Sequence, residues 1–349
     1  MYTLAVDAMG GDYAPGVVMQ AVSELLQEDR DKNIEIVLVG HLEKLSYYIE
    51  KYGLKPSPRL EFVHAETVVE MADLSTASIR SKKNSSITVC AGLVAEGRAA
   101  GVVSAGHTGA AVAASTVKMR MAKGVDRPCI ATVMPRAGGK GNWILADAGA
   151  NTDCNPMNLA QFAVMGEMYA KVALGRENPT IGLLSVGGED CKGNDLTKEA
   201  FKILSKMPIN FIGNVEGHDT FTGDCDVVIC DGFVGNTVLK SSESLAKATV
   251  QWLKEAFTRN AVRKAGALLA KEAFAELKKH GDFEEYGGAP LIGLNGVCII
   301  GHGVSSPKAI KNAIRVAHTF VEQKVPEVVS SRIYECGVEK AAFAAYLHS

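Results

Sequence analysis

The sequence predicts an α/β protein with a mostly parallel sheet in a three-layer α/β/α arrangement. Short runs rich in Val, Ile and Leu are apolar at consecutive positions, as strands covered on both faces must be. Most are separated by stretches with helical spacing, the alternation that builds parallel strands and crossover helices. A third observation says where the chemistry lies. Six runs end in glycine beside Asp, Asn, Ser or His, and in open parallel sheets ligands sit beyond the carboxyl ends of the strands. At 349 residues the chain exceeds what one hydrophobic core usually serves, so one large layered structure or two lobes flanking a cleft is expected.

In chain order the predicted strands are Leu4 to Asp7, Ile34 to Gly40, Leu60 to His64, Gly101 to Ser104, Cys129 to Met134, Trp143 to Asp147, Thr180 to Val186, Asn210 to Val215, Asp226 to Asp231 and Val297 to Gly301. Val17 to Gln27 and Leu159 to Leu174 have helical spacing. The polar strand ends place Gly10, Gly11 and Asp12 after the first strand and Gly106 and His107 after Ser104. Later ends place Asp147 and Asn151, Gly187 and Gly188, Asp231, Gly235 and Asn236, and His302 with Gly303. Each alone is ordinary turn chemistry. Together they would line a polar crevice rich in backbone N–H groups, suited to a phosphorylated or thioester ligand.

The stretch Gly182 to Lys198 is the richest of these. Paired glycines, Lys192 and Gly193 lead from a strand into a helix, a turn that can hold an oxyanion. Asp195 is expected as the helix N-cap, with Lys198 one turn later. No strand end matches a P-loop or a GxGxxG fingerprint, so nothing points to a nucleotide cofactor. Arg127-Pro128 reads as a crossing between lobes, dividing a single domain tentatively into 1–126 plus 290–349 and 127–289.

Composition narrows the class. Hydrophobic residues make up 47% and charged residues 22%, a balance typical of a folded soluble enzyme. The formal charge is only -2 and no basic stripe appears, so no nucleic-acid partner is expected. The eight cysteines form no CxxC pair and read as buried free thiols of a reducing compartment. Met1 leads straight into the first strand without a charged and then apolar leader, and no run of about 18 apolar residues occurs. The expected location is cytoplasmic, at most on a membrane surface.

From Ser241 to His280 the pattern is helical over a long span. Trp252, Phe257 and Leu268 fall with Leu245 and Leu253 largely on one stripe, flanked by Arg259, Arg263 and Lys264. Two readings stand. The helices pack on the body or on a second subunit, or they form a protruding hairpin, turning at Gly266, whose apolar face touches lipid while its basic side meets anionic head groups or an acidic carrier protein.

Taken together, Val6 to Pro15, Arg127-Pro128, Asp147 to Cys154, Glu189 to Asp195, Asp231 to Asn236, Tyr286 to Ala289 and His302-Gly303 resemble the bacterial PlsX family of phosphate acyltransferases. The resemblance runs from Leu4 to about Val321. It implies a two-lobed fold similar to phosphotransacetylases and to isocitrate and isopropylmalate dehydrogenases. It also implies a homodimeric peripheral membrane enzyme that makes acyl phosphate from inorganic phosphate and acyl carrier protein thioester, without a cofactor. The acyl phosphate would pass to a membrane glycerol-3-phosphate acyltransferase. Two positions depart from the family pattern: His107 stands where Asn or Ser is usual, and His218 where Arg is common.

Phosphate is already a nucleophile and a thioester has a good leaving group, so neither a Ser nor a Cys nucleophile is required. The protein must bring two anionic partners together and stabilise the tetrahedral oxyanion. Lys192, with the N–H groups of Gly187, Gly188 and Gly193, is expected to neutralise phosphate. Asn236 and the N–H of Gly235 are expected to face the oxyanion, and His302 to protonate the thiolate or orient phosphate. Asp12, Asp147 and Asp231 are expected to orient lysine and backbone donors, since no metal-ligand spacing is present. His107 reads as a hydrogen-bonding wall residue. A coenzyme A-dependent phosphate acetyl- or butyryltransferase is the nearest alternative; a decarboxylating dehydrogenase and a lipid-surface scaffold are more remote.

Overall fold

The structure, a computed structural model, describes residues 1–70, 73, 82–138, 141–280 and 286–346. The chain begins β1 (Tyr2–Asp7), α1 (Gly16–Gln27), β2 (Ile34–Gly40), α2 (Leu42–Lys51), β3 (Leu60–His64), α3 (Ser86–Ala95), β4 (Gly101–Ser104) and α4 (Thr108–Met119). It continues with β5 (Cys129–Pro135), β6 (Asn142–Ala146), α5 (Pro156–Leu174), β7 (Ile181–Leu184), α6 (Asp195–Leu204), β8 (Phe211–Val215) and β9 (Val227–Ile229). Helices α7 (Gly232–Thr258), α8 (Ala261–Leu269) and α9 (Lys271–His280) lead to β10 (Ala289–Ile292) and β11 (Val297–Ile300). Helices α10 (Pro307–Glu322), α11 (Val325–Cys336) and α12 (Val338–Tyr346) complete the described chain.

Among the described residues the strands form one eleven-stranded sheet in the order β3-β2-β1-β4-β11-β10-β5-β6-β9-β7-β8. Alternate residues of each strand feed two cores, because side chains point to opposite faces with a period of two. Leu4, Val6, Val227 and Ile229 pack with α1, α5 and α10. Ala5, Val102, Leu145 and Val228 pack on the opposite side, beside residues of α3 and α4. The three layers and the apolar runs therefore have one cause, burial on both faces.

Pairing is parallel except around β10, which is antiparallel to both β11 and β5, while β5 is antiparallel to β6. The strands β3, β2, β1, β4 and β11 thus run in one sense and β6, β9, β7 and β8 in the other. β10 is absent from the strands predicted above. Its run is only four residues, Ala-Pro-Leu-Ile, and Pro290 weakens the strand signal.

Helix α5 shows how local chemistry fixes an element. Asn155 accepts from Asn158 N while Asn158 Oδ1 accepts from Asn155 N, a reciprocal cap. Pro156 opens the helix and Gly175 closes it in the left-handed conformation, φ 63°. Between them the helix is buried over most of its length, so the residues that cover it come from both sides, α11 and the sheet. Its buried Glu167 is held by Arg332 of α11 at 3.0 Å and by Lys171 at 2.8 Å.

Two expected positions shift. The N-cap of α6 is Asn194, whose side chain accepts from Thr197 N at 2.9 Å, and Asp195 is the first helical residue. Neighbouring Asn and Asp compete for the same role, and the backbone of Asn194 has the extended conformation a cap requires. The segment after Gly232 is three helices, not a pair turning at Gly266. The first break falls where Asn260 caps α8 by accepting from Arg263 N, the second at Ala270, and Gly266 lies inside α8.

Only Gly232 and Gly235 of α7 are buried, and no residue of α8 is. A helix of 27 residues is about 40 Å long, so most of α7 stands clear of the body. Trp252 is 61% and Leu268 73% exposed. Phe257 packs edge-to-face on Phe274, with ring centroids 5.0 Å apart, and Arg263 donates to Ala256 O, so these two side chains fasten the tip internally. Arg259 and Lys264 are exposed.

Helix α10 is anchored by ions to α1 and to the residues that follow it. Lys311 lies 2.7 Å from Glu24 and 3.0 Å from Glu28, and Arg315 lies 2.8 Å from Asp31. The hydrogen bonds of Lys311 hold both glutamates below the ordinary value of 4.5. Carboxyls with a folded value below the unfolded one contribute stability that is present above the unfolded value and lost as pH falls through the folded one. Lys311→Met should therefore lower the urea unfolding midpoint at pH 7 by the equivalent of about 1 kcal/mol, with the difference shrinking below pH 4.5. A loss of equal size at both pH values would show that the ion pairs are not its source.

Candidate active site

The polar strand ends gather in three groups. In the first, Asp7 at the end of β1 accepts from Ser104 Oγ at 2.8 Å, and Ser104 Oγ accepts from Gly106 N at 3.2 Å. Asp12 N donates to Gly303 O at 2.8 Å. Gly10 packs so closely that a Cβ there would stand 2.8 Å from Gly106 N, and Gly11, at φ +113°, lies against Gly303 O. The loops after β1, β4 and β11 are therefore one connected surface, with Asp12 exposed on it.

Two imidazoles stand on this surface. His107 caps α4, its Nδ1 accepting from Ala110 N at 3.1 Å, and His302 Nδ1 accepts from Val304 N at 3.3 Å. An accepting Nδ1 leaves the ring proton on Nε2, so each neutral ring offers an N–H donor outward.

The second group centres on Asp147, which is fully buried. Its Oδ1 accepts from the N–H groups of Ile130, Gly149 and Ala150, and its Oδ2 from Asn151 N and Asn151 Nδ2, all within 3.1 Å. Burial raises its carboxyl above the ordinary value, and these donors pull the other way. Asn151 spends its other Nδ2 bond on Pro128 O at 2.7 Å and receives Gly232 N at its carbonyl. Both carboxylate oxygens of Asp147 and the backbone and Nδ2 groups of Asn151 are thus committed inside the protein.

Helix α7 begins on this scaffold. Asp231 caps it by accepting from Val234 N at 2.9 Å, and a Cβ at Gly235 would stand 1.8 Å from Asp147 O, so only glycine fits. Gly235 N donates to Asp231 O inside the first turn, which removes it as the oxyanion donor expected from the sequence. Asn236 is exposed, with its side chain lying over Gly149.

The third group is the loop after β7, which pairs with β9. Gly187 is buried under the stem of Lys192, whose Cγ would lie 2.9 Å from a Cβ at that position. Gly193 has φ +115° and packs on Thr197. Lys192 and Gly188 are exposed. The Lys192 loop and the Asn236 turn leave the same edge of neighbouring parallel strands. His218, on the loop after β8, faces Asp219 at 3.1 Å. The sequence marks Asp7 and Ser104 only as ends of strands, whereas their pairing across β1 and β4 connects the first group.

A family model described as "Fatty acid synthesis protein" matches residues 2–328. The chain belongs to this family. Its members include the "Phosphate acyltransferase" of a Nitratiruptor species, 46% identical over 335 residues that cover 96% of this chain and 98% of the relative. The protein of the same name from Pelotomaculum thermopropionicum is 45% identical over 97% of both chains. The fold of this chain is shared with more distant proteins. A phosphotransacetylase from Streptococcus pyogenes superposes with a TM-score of 0.60 over 92% of this chain and 94% of its own, at 17% identity. The EutD phosphotransacetylase of Staphylococcus aureus gives 0.56 at 18% identity, with 92% and 94% covered.

Asp147→Ala should destabilise the protein by roughly 3 kcal/mol, since five donors lose their acceptor in a buried site. Urea unfolding followed by far-UV circular dichroism reads this, and a wild-type midpoint would show that Asp147 is not structural.

Proposed function

We propose that the protein is a phosphate acyltransferase that passes an acyl group from the thioester of acyl carrier protein to inorganic phosphate, giving acyl phosphate and free acyl carrier protein for phospholipid synthesis. The observation that carries this reading is the family match over nearly the whole chain. In the reaction a phosphate oxygen attacks the thioester carbon, the carbonyl oxygen becomes a tetrahedral oxyanion, and collapse expels the thiolate, which takes up a proton.

Lys192 neutralises the incoming phosphate, assisted by backbone N–H groups of the loop from Gly187 to Gly193. Asn236 is the remaining side-chain donor for the oxyanion at its turn. His302 and His107 supply Nε2–H donors from the opposite half of the sheet. The halves run in opposite senses, so sharing one phosphate requires the twist of the sheet to bring their carboxyl ends together. On this reading one crevice draws on all three groups.

The exposed tip supports the proposed partners. Trp252 and Leu268, with Arg259 and Lys264 nearby, suit a peripheral contact with an anionic membrane surface or with acidic acyl carrier protein. Within the described residues no helix is long and apolar enough to cross a membrane. A homodimer and a downstream membrane glycerol-3-phosphate acyltransferase complete the proposed setting, in the cytoplasm at the membrane face.

Lys192→Ala should lower phosphate-dependent release of acyl carrier protein thiol by about 10²–10³-fold, the usual cost of one preorganised charge-stabilising group, with the thermal midpoint unchanged. A wild-type rate in that variant would remove the assignment.

A further inference from the structure

The loop that presents Lys192 carries Gly187, Gly188 and Gly193 within the stretch 186–193. Glycine leaves the backbone free, so such a loop keeps a lysine in one place only if something outside it does the holding. Within the loop, Lys192 N donates to Glu189 O at 3.0 Å. The same carbonyl takes a second donor, Asn214 Nδ2, which reaches it from β8 at 2.8 Å. Among the described residues this is the only hydrogen bond that ties residues 186–193 to the body of the protein. Asn214 is level with Leu183 of β7, and Leu183 is buried in one core with Ala200 and Ile203 of α6. Side chains level in register share a face, so Asn214 stands on the side of the sheet where the loop crosses to α6. The other half of its amide is a cost: Asn214 Oδ1 is buried with no hydrogen-bond partner among the described residues. A half-paired amide adds little stability, which leaves position as what it supplies.

We propose that Asn214 is a positioning residue for phosphate, pinning the turn from which Lys192 is presented. The inference rests on the role of Lys192 proposed above and names what that role depends on. Strand β8 is the fixed side of the contact, since it pairs with β7 from Phe211 to Val215. A carbonyl bonded at once by Asn214 and by Lys192 N carries the position of the sheet into the backbone of the lysine. The Lys192 stem then lies on Gly187, and its ammonium is offered at one place instead of over the range that a long side chain on a glycine loop would sweep. Asn214 touches neither phosphate nor the acyl group; it acts through the lysine.

The test is a double-mutant cycle in the full chain, Asn214→Ala against Lys192→Ala, read in acyl transfer from acyl carrier protein and in calorimetric binding of inorganic phosphate without turnover. Asn214→Ala should raise both the KM and the Kd for phosphate about tenfold, with the KM for the acyl donor within about twofold and the thermal midpoint unchanged. In the Lys192→Ala background the same change should cost less than about twofold. Asn210→Ala, which removes an amide bond to Asn178 O just before β8, should leave the phosphate values within about twofold of wild type. Losses that multiply in the double variant would overturn the assignment. So would wild-type phosphate values in Asn214→Ala, or a lowered midpoint with both substrates weakened alike. Absence of acyl transfer in the wild type would strike the reaction instead, and the binding cycle would still read Asn214. Wild-type phosphate affinity in Lys192→Ala would remove the lysine's role and that of Asn214 with it.

Discussion

A single buried carboxylate organises the half of the sheet that carries β6, β9 and β7. Asp147 gathers five N–H donors from the start of β5 and from its own loop. Its backbone carbonyl meanwhile lies where any side chain at position 235 would have to go. The first constraint fixes the turn after β6, and the second fixes how closely α7 can begin. Together they determine where Asn236 is presented and from which point the long helix departs. An acid in such a place costs desolvation, which its donors offset, so it serves the protein by geometry and not by reactivity.

The opposite half uses a related device with different residues. Asp7 reaches across from β1 to β4 through Ser104, and the Asp12 to Gly303 bond ties in β11. Glycines let these backbones approach to distances that no Cβ would allow. The result in both halves is the same: rigid, closely packed backbone beneath, and a few polar side chains above. Above it stand Lys192, Asn236 and His302, exposed, and His107, partly exposed, the groups proposed to meet an anion.

Much of this was legible in the sequence, for physical reasons. Strands buried on both faces must be continuously apolar, and the runs at Ile34 to Gly40 and Leu60 to His64 have the observed limits. Strand order and the reversal around β10 were not legible, because nothing local in Ala289–Ile292 says which neighbour it will meet. The polar ends were visible as a class, but their direction was not. Asp147 and Asn151 look the same in sequence whether they face ligand or interior, and here they face the interior. The turn of the helical tip was misplaced because Gly266 has the more conspicuous signal, whereas the Asn260 cap decides it. The family likeness rested on motifs spread over the chain, which is why it survived these local errors.

The central claim is that donors from two oppositely running halves of one sheet meet at a single phosphate. A crystal structure with inorganic phosphate bound tests it most directly. The account predicts phosphate oxygens within hydrogen-bond distance of Lys192 Nζ and of the Nε2 of His302 or His107 at once. Phosphate held wholly by one half, with the other too far away to touch it, would contradict it.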